Sequence, residues 1–347
     1  MKDLKYLAAF TLPASAAIGI YLQGYWSFFT PFYAFFIIPL FELILPQDSS
    51  NLNSSQRDIK KNKILFDWLL YLNIPIVYGL LAYTLWYISS HRISTFEIIG
   101  LTLSIGIVLG TNGINVAHEL GHRLKSKERY LGKLLLLPTL YMHFFIEHNF
   151  GHHLHAATPE DPATAKYNQT VYSFWVTSVL RQYISAWKLQ LMLLKKNERR
   201  FFSIENDMFW YLVIEALYLF GVFYLFGSLG LFFALGAAIT GFLLLETVNY
   251  IEHYGLLRRK LASGRYERVK EVHSWNSNHI VGRIVLYELT RHSDHHYKSS
   301  KKYQILDYHD TSPQLPYGYP TSMVMSFLPP LWFKVMNPRI PSEMIVR

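Results

Sequence analysis

The chain has 347 residues, 51% of them hydrophobic and only 16% charged, where soluble domains carry about a quarter charged residues. That balance excludes an ordinary soluble or disordered chain and predicts an integral membrane protein. The formal net charge is +9 and cysteine is absent, which excludes disulfides, thiolate-bound haem and any iron–sulfur cluster held by the chain's own sulfur.

Apolar runs long enough to cross a bilayer, about 17–25 residues, lie at 7–22, 26–45, 66–89, 96–116, 208–226 and 229–251. Six transmembrane helices are therefore predicted. The first run has no small-residue cleavage site and is followed at once by the second, so the pair is expected to remain as a helical hairpin rather than be removed as a signal peptide. With both termini in the cytoplasm, the predicted outer loops hold Arg92 as their only Lys or Arg, in line with the positive-inside rule. Basic stripes also suit nucleic acid, but no nucleic-acid motif accompanies these. Membrane lipid and an acidic protein are the expected partners, and nucleic acid is not. The predicted fold class is all-α: a single membrane domain over 1–347, with a helical and irregular cytoplasmic cap at 117–207 and 252–347.

The fourth run leads without a break into HELGHR, with His118 and His122 four residues apart. The next apolar run, 131–146, is short and contains Lys133 and Pro138. If it crossed, it would carry the HNFGHH cluster (His148, His152, His153) to the opposite side from His118. It is therefore predicted to form a helix lying in or beside the interface, or against the bundle; the alternative is a true span with an unrelated cluster. The sixth run leads into Glu252 and His253, and the tail holds the third cluster, HSDHH (His292, His295, His296).

Histidines three or four residues apart share a helix face, so each cluster can aim imidazoles at one point. Adjacent pairs such as His152–His153 and His295–His296 splay by about 100° on a helix, which suits two neighbouring metal ions. Imidazole suits iron, zinc and copper alike, yet eight or nine histidines exceed a tetrahedral zinc site. The rival reading is H-E-x-x-H at residues 118–122, the zinc metalloprotease signature. A protease would leave the other two clusters unexplained.

HELGHR, EHNFGHH (147–153) and RHSDHH (291–296) resemble the three histidine boxes of the membrane-bound fatty-acid desaturase and hydroxylase superfamily. NYIEHYGL (249–256), HSWNSNHIV (273–281) and SPQLPYGYP (312–320) resemble, more narrowly, the bacterial alkane 1-monooxygenases, which are rubredoxin-dependent omega-hydroxylases. The likeness runs from the first hairpin to about Pro338. It implies a non-haem di-iron enzyme that uses O2 to hydroxylate the terminal carbon of medium- to long-chain alkanes. It also implies electrons from rubredoxin and its NADH-dependent reductase, and a place in the bacterial inner membrane with the active site on the cytoplasmic side. The ligands it implies are His118, His122, His148, His152, His153, His292, His295 and His296, with His253 as a ninth. One departure is Arg123, where the family commonly has Lys. A related hydroxylase or desaturase acting on an alkylbenzene methyl group or a fatty acyl chain is the alternative.

Glu119, Asp161, Glu252 and Asp294 stand near the ligands as acceptors that could hold the far imidazole N–H, or else serve as caps or solvent-facing charges. Phe32, Ala34 and Phe36 in the second span are candidates to line a substrate channel, where Ala34 could leave room for a longer chain, although ordinary packing in lipid is the favoured reading of this crowding. Arg258, Arg259, Lys260, Lys298, Lys301 and Lys302 follow ligand segments and could receive an acidic electron carrier or contact anionic lipid. Of the remaining histidines, His273 and His279 are the leading candidates for a place at the site.

Overall fold

A computed structural model describes residues 2–345 of the protein, and among these every regular element is helical. In chain order the helices that position the site are α1 (Asp3–Leu22), α2 (Gly24–Ile44), α3 (Ile64–Ser90), α4 (Thr95–Gly121), α5 (Ser126–Leu136), α6 (144–155), α7 (Val171–Lys196) and α8 (Asp207–His253). They are followed by α9 (Ile280–Val285), α10 (His292–Tyr297), α11 (Tyr319–Ser326) and α12 (Pro329–Met336). Five of them, α1 to α4 and α8, are long and apolar enough to cross a membrane. The longest, α8, breaks at Gly227, whose φ of 68° and ψ of −167° strain any residue with a Cβ. Its two apolar halves match the fifth and sixth runs of the sequence.

Local chemistry sets where these helices begin. At the start of α4, Ser94 Oγ accepts from the Glu97 N–H at 3.2 Å while Glu97 Oε2 accepts from the Ser94 N–H at 2.9 Å, a reciprocal capping box. Glu97 Oε1 also takes the Gly24 N–H at 2.8 Å, which fastens the turn between α1 and α2 to α4. Farther along, α4 and α8 meet backbone to backbone. A Cβ on Gly106 would stand 2.3 Å from Thr240 Cβ and 2.9 Å from the Ala237 carbonyl oxygen. This close approach brings the ends of α4 and α8, and with them His118 and His253, to one place.

The run at 131–146 is not the single helix expected. Helix α5 stops at Leu136, a short 3-10 turn spans Leu137–Thr139, Leu140 takes a left-handed φ of 53°, and helix resumes at Phe144. Pro138 lacks the N–H that a continuing helix would need, and the turn packs against α8. Tyr78 Oη of α3 donates to the Leu134 carbonyl at 2.6 Å, so α5 lies between other helices and the chain then doubles back. His148 therefore returns to the end of the bundle that holds His118.

Buried polar groups clamp α7 to this frame. The Glu246 carboxylate of α8 is fully buried and accepts from Tyr141 Oη at 3.0 Å, Ser178 Oγ at 2.6 Å and Gln182 Nε2 at 2.9 Å. A buried carboxylate is tolerable only with such partners.

Candidate metal centre

Nine histidines converge at the ends of α4 and α8 and divide into two groups. His118, His122, His148, His153 and His295 form one; His152, His253, His292 and His296 form the other. Within the first group, Nε2 atoms lie 3.0 Å apart for His118–His295 and His122–His148, and 3.1 Å for His122–His153 and His148–His153. In the second, the separations are 3.1 Å for His253–His292, 2.9 Å for His292–His296 and 3.2 Å for His152–His296. Metal–nitrogen bonds of about 2.1 Å set at right angles put neighbouring ligands roughly 3.0 Å apart. A neutral imidazole has one N–H, so rings aimed at one another in this number cannot all be mutual hydrogen-bond partners. They fit a cation at each focus.

Helical geometry explains the division. His118 and His122, at i and i+4, face the first focus from α4, and His292 and His296, with the same spacing, face the second from α10. Adjacent residues splay, so His152 and His296 join one group while their neighbours His153 and His295 join the other. A π-helical turn at His148–His152 uses i to i+5 hydrogen bonding, and it sets His153 rather than His152 alongside His148. The rings of His153 and His296, one from each group, have centroids 4.7 Å apart. The two foci are neighbours.

Burial, reinforced by neighbouring imidazoles, holds the pKa of His122, His148, His153, His292, His295 and His296 well below the usual histidine value. These rings are neutral near pH 7, the form that ligates metal. His152 differs. Burial acts to lower its pKa, but Asp161 Oδ2, 3.0 Å from Nδ1, raises it.

Of the four expected acceptors, two come close to rings of these groups. Asp161 holds His152, and Glu252 Oε1 lies 3.3 Å from His292 Nδ1 while accepting from Tyr319 Oη at 2.8 Å. Glu119 instead pairs with Arg123 at 3.0 Å and accepts the Tyr303 N–H at 3.2 Å. Arg123 spans Glu119 and Asp67, so the residue that departs from the family pattern holds carboxylates rather than touching the histidines. Asp294 takes Lys301 Nζ at 2.6 Å and His309 Nε2 at 2.8 Å; it faces the tail, because a position two residues from His292 turns away from it on a helix. His273 and His279 lie outside both groups: His273 faces Glu267 and His279 Nδ1 is 2.8 Å from Ser277 Oγ.

An apolar cavity of about 90 Å³ ends on both groups at His118, His148 and His292. Leu12, Ile107, Leu244 and Val285 line its length. Ala34 lies in its wall, together with Phe35 and Ile38. Phe32 and Phe36 do not, since both face outward and are half exposed. The aromatic crowding of α2 gave no sign of which rings turn inward; spacing from Ala34 would have favoured Ile38. The six basic residues expected to receive a carrier also separate. Arg258 donates to the Leu154 and Glu267 carbonyl oxygens, Lys301 bridges Asp294 and Asp307, and Lys302 pairs with Asp67, leaving Arg259, Lys260 and Lys298 exposed.

Residues 94–324, which contain all nine histidines, match the fatty acid desaturase family model. Alkane 1-monooxygenase 2 of Pseudomonas aeruginosa is 37% identical over 94% of this chain and 89% of its own length. Alkane 1-monooxygenase 2 of Alcanivorax borkumensis is 37% identical over 98% and 91%. The chain belongs to the alkane 1-monooxygenase family. The hydroxylase component XylM of the xylene/toluene monooxygenase from Pseudomonas putida is a more distant relative of this alkane 1-monooxygenase family member, 27% identical over 97% of the chain.

Proposed function

We propose that the protein is an alkane 1-monooxygenase that hydroxylates the terminal carbon of n-alkanes with O2, using two iron ions held by the nine histidines. The observation that carries this reading is the apolar cavity that ends on both histidine groups. An unactivated methyl group offers no acidic proton or lone pair, so no side chain can open it by acid–base chemistry; bound iron supplies the oxidising power. The chain's own residues do the rest. Asp161 orients His152 through a hydrogen bond, Glu252 stands beside His292 Nδ1, and Leu12, Ile107, Leu244 and Val285 exclude water and admit a hydrocarbon end-on. Such a wall gives shape but no polar handle, as suits an alkane. We further propose six spans, with α8 counted twice across Gly227, in a bacterial inner membrane, with both termini and the metal centre on the cytoplasmic side. Electrons come from rubredoxin and its NADH-dependent reductase, and the absence of cysteine from the chain agrees with an outside donor.

Wild type and Ala34→Trp, supplied with octane, hexadecane and toluene in separate assays, test this reading. Wild type is expected to give terminal alcohols from the alkanes. An indole at position 34 would fill much of the cavity, so the preference for hexadecane over octane should fall by about 10- to 200-fold. Toluene oxidised in preference to both alkanes would transfer the chain to the alkylbenzene branch, and an unchanged chain-length profile would remove Ala34 from the path of the substrate.

A further inference from the structure

The two histidine groups differ in their access to solvent. All four members of the second are buried, whereas His122 and His153 of the first are partly exposed. His122 forms part of the wall of an open cleft of about 810 Å³, separate from the apolar cavity. Leu124, Tyr130 and Phe150 line this cleft and are 85%, 68% and 46% exposed; Leu154, next to His153, is 64% exposed. Apolar side chains thus surround the uncovered edge of the metal centre.

The rim is basic. Lys125 and Lys127 are exposed beside Leu124, and Arg129, a lining residue, has only Ser126 Oγ as a side-chain partner among the described residues, at 3.2 Å. On the other wall, Leu193, Leu194 and Asn197 stand next to exposed Lys195, Lys196 and Arg200. The acidic residues of the cleft are paired, Asp207 with Lys133 at 2.6 Å and Glu205 with Arg199 at 2.9 Å.

We propose that this cleft is where electrons enter, docking a small acidic one-electron carrier protein whose redox group lies under an apolar face. The inference rests on the monooxygenase reading above and adds to it the surface and its residues. Hydroxylation of R–CH3 with O2 to R–CH2OH and water consumes two electrons and two protons. The carrier delivers the electrons in two successive visits, leaving oxidised each time. Tunnelling falls steeply with distance, and His122, in the wall of this cleft, joins its surface to the first focus through a single side chain. The apolar ring excludes water at the contact and the basic rim attracts the partner. Arg259 and Lys260, the exposed bases after α8, are not among the residues of this cleft.

The test uses the purified, metal-loaded protein in neutral-lipid nanodiscs and rubredoxin as the acidic probe. Its readouts are the Kd of oxidised rubredoxin and alcohol formed in one turnover with dithionite and a small mediator. The triple variant Lys125→Glu, Lys127→Glu, Arg129→Glu should raise Kd by about tenfold or more and keep the dithionite-driven product. Leu124→Ser with Phe150→Ser should also raise Kd, whereas Arg259→Ala with Lys260→Ala should not. An unchanged Kd in the triple variant would overturn the proposal. So would a wild type that makes alcohol with dithionite but does not bind rubredoxin, or a triple variant whose only loss, in a parallel flotation assay, is of binding to anionic vesicles, which would make the rim a lipid contact. Binding as expected with no alcohol from the dithionite-driven turnover would support the docking surface and refute the monooxygenase reading instead.

Discussion

Replacing His253 with alanine is expected to lower the metal content from about two ions per chain to about one, and alcohol formation to background. His253 is fully buried at the end of α8, with Nε2 3.1 Å from that of His292. Its loss leaves the second group three nitrogens, His152, His292 and His296, while the first keeps all five. The neighbouring carboxylates are not free to replace the lost donor, since Asp161 and Glu252 already face the far nitrogens of other rings. His143→Ala is the matched control. His143 is also buried, yet it lies against Tyr141 and Tyr183 outside both groups, so its removal should leave the metal in place. Elemental analysis of the two purified variants distinguishes a ligand from a packing residue; full metal content in the His253 variant would return it to the second kind.

Asp161→Ala should weaken metal binding or turnover by about 10- to 100-fold, the usual effect of losing the partner of a ligating histidine. The Asp161 carboxylate is buried and accepts from His152 Nδ1 at 3.0 Å, Thr164 Oγ1 at 2.6 Å and the Ala163 N–H at 3.1 Å. Those contacts fix the His152 ring with Nε2 toward its focus. Alanine frees the ring to turn and strands two buried donors. Asp161→Asn keeps an acceptor without the charge and should lie between wild type and alanine. Metal affinity by chelator competition, read beside the alcohol rate, gives the answer. Equal affinity in all three proteins would show that packing alone orients His152.

Most of the convergence of the nine histidines was legible in the sequence because they come in local clusters. Spacings of three and four on a helix repeat a face, so HELGHR, HNFGHH and HSDHH announced themselves, and the splay of adjacent histidines foretold two foci. His253 stands alone in its segment and became visible through the resemblance of NYIEHYGL. The six apolar runs were legible for the same reason, each being a continuous stretch. What the sequence hid depends on contacts between distant segments. The reversal at 137–143 arises from Pro138 together with a left-handed Leu140, and hydropathy reads straight across it. Glu119 and Asp294 adjoin histidines of the two groups in sequence while Asp161 lies eight residues beyond His153, yet only the fold decides which carboxylate meets a ring. Lys301 and Lys302 looked free until Asp307, Asp294 and Asp67 were placed beside them. The cavity draws its wall from α1, α2, α4, α6, α8, α9, α10 and α11, and no single spacing encodes such a surface.

One sample can test the central claim: the protein purified in detergent, assayed for iron and zinc per chain, then supplied with rubredoxin, its reductase, NADH and octane under air. About two irons per chain with 1-octanol formed is the predicted result. A single zinc with no oxygen consumed would contradict it and restore the protease reading of His118, Glu119 and His122.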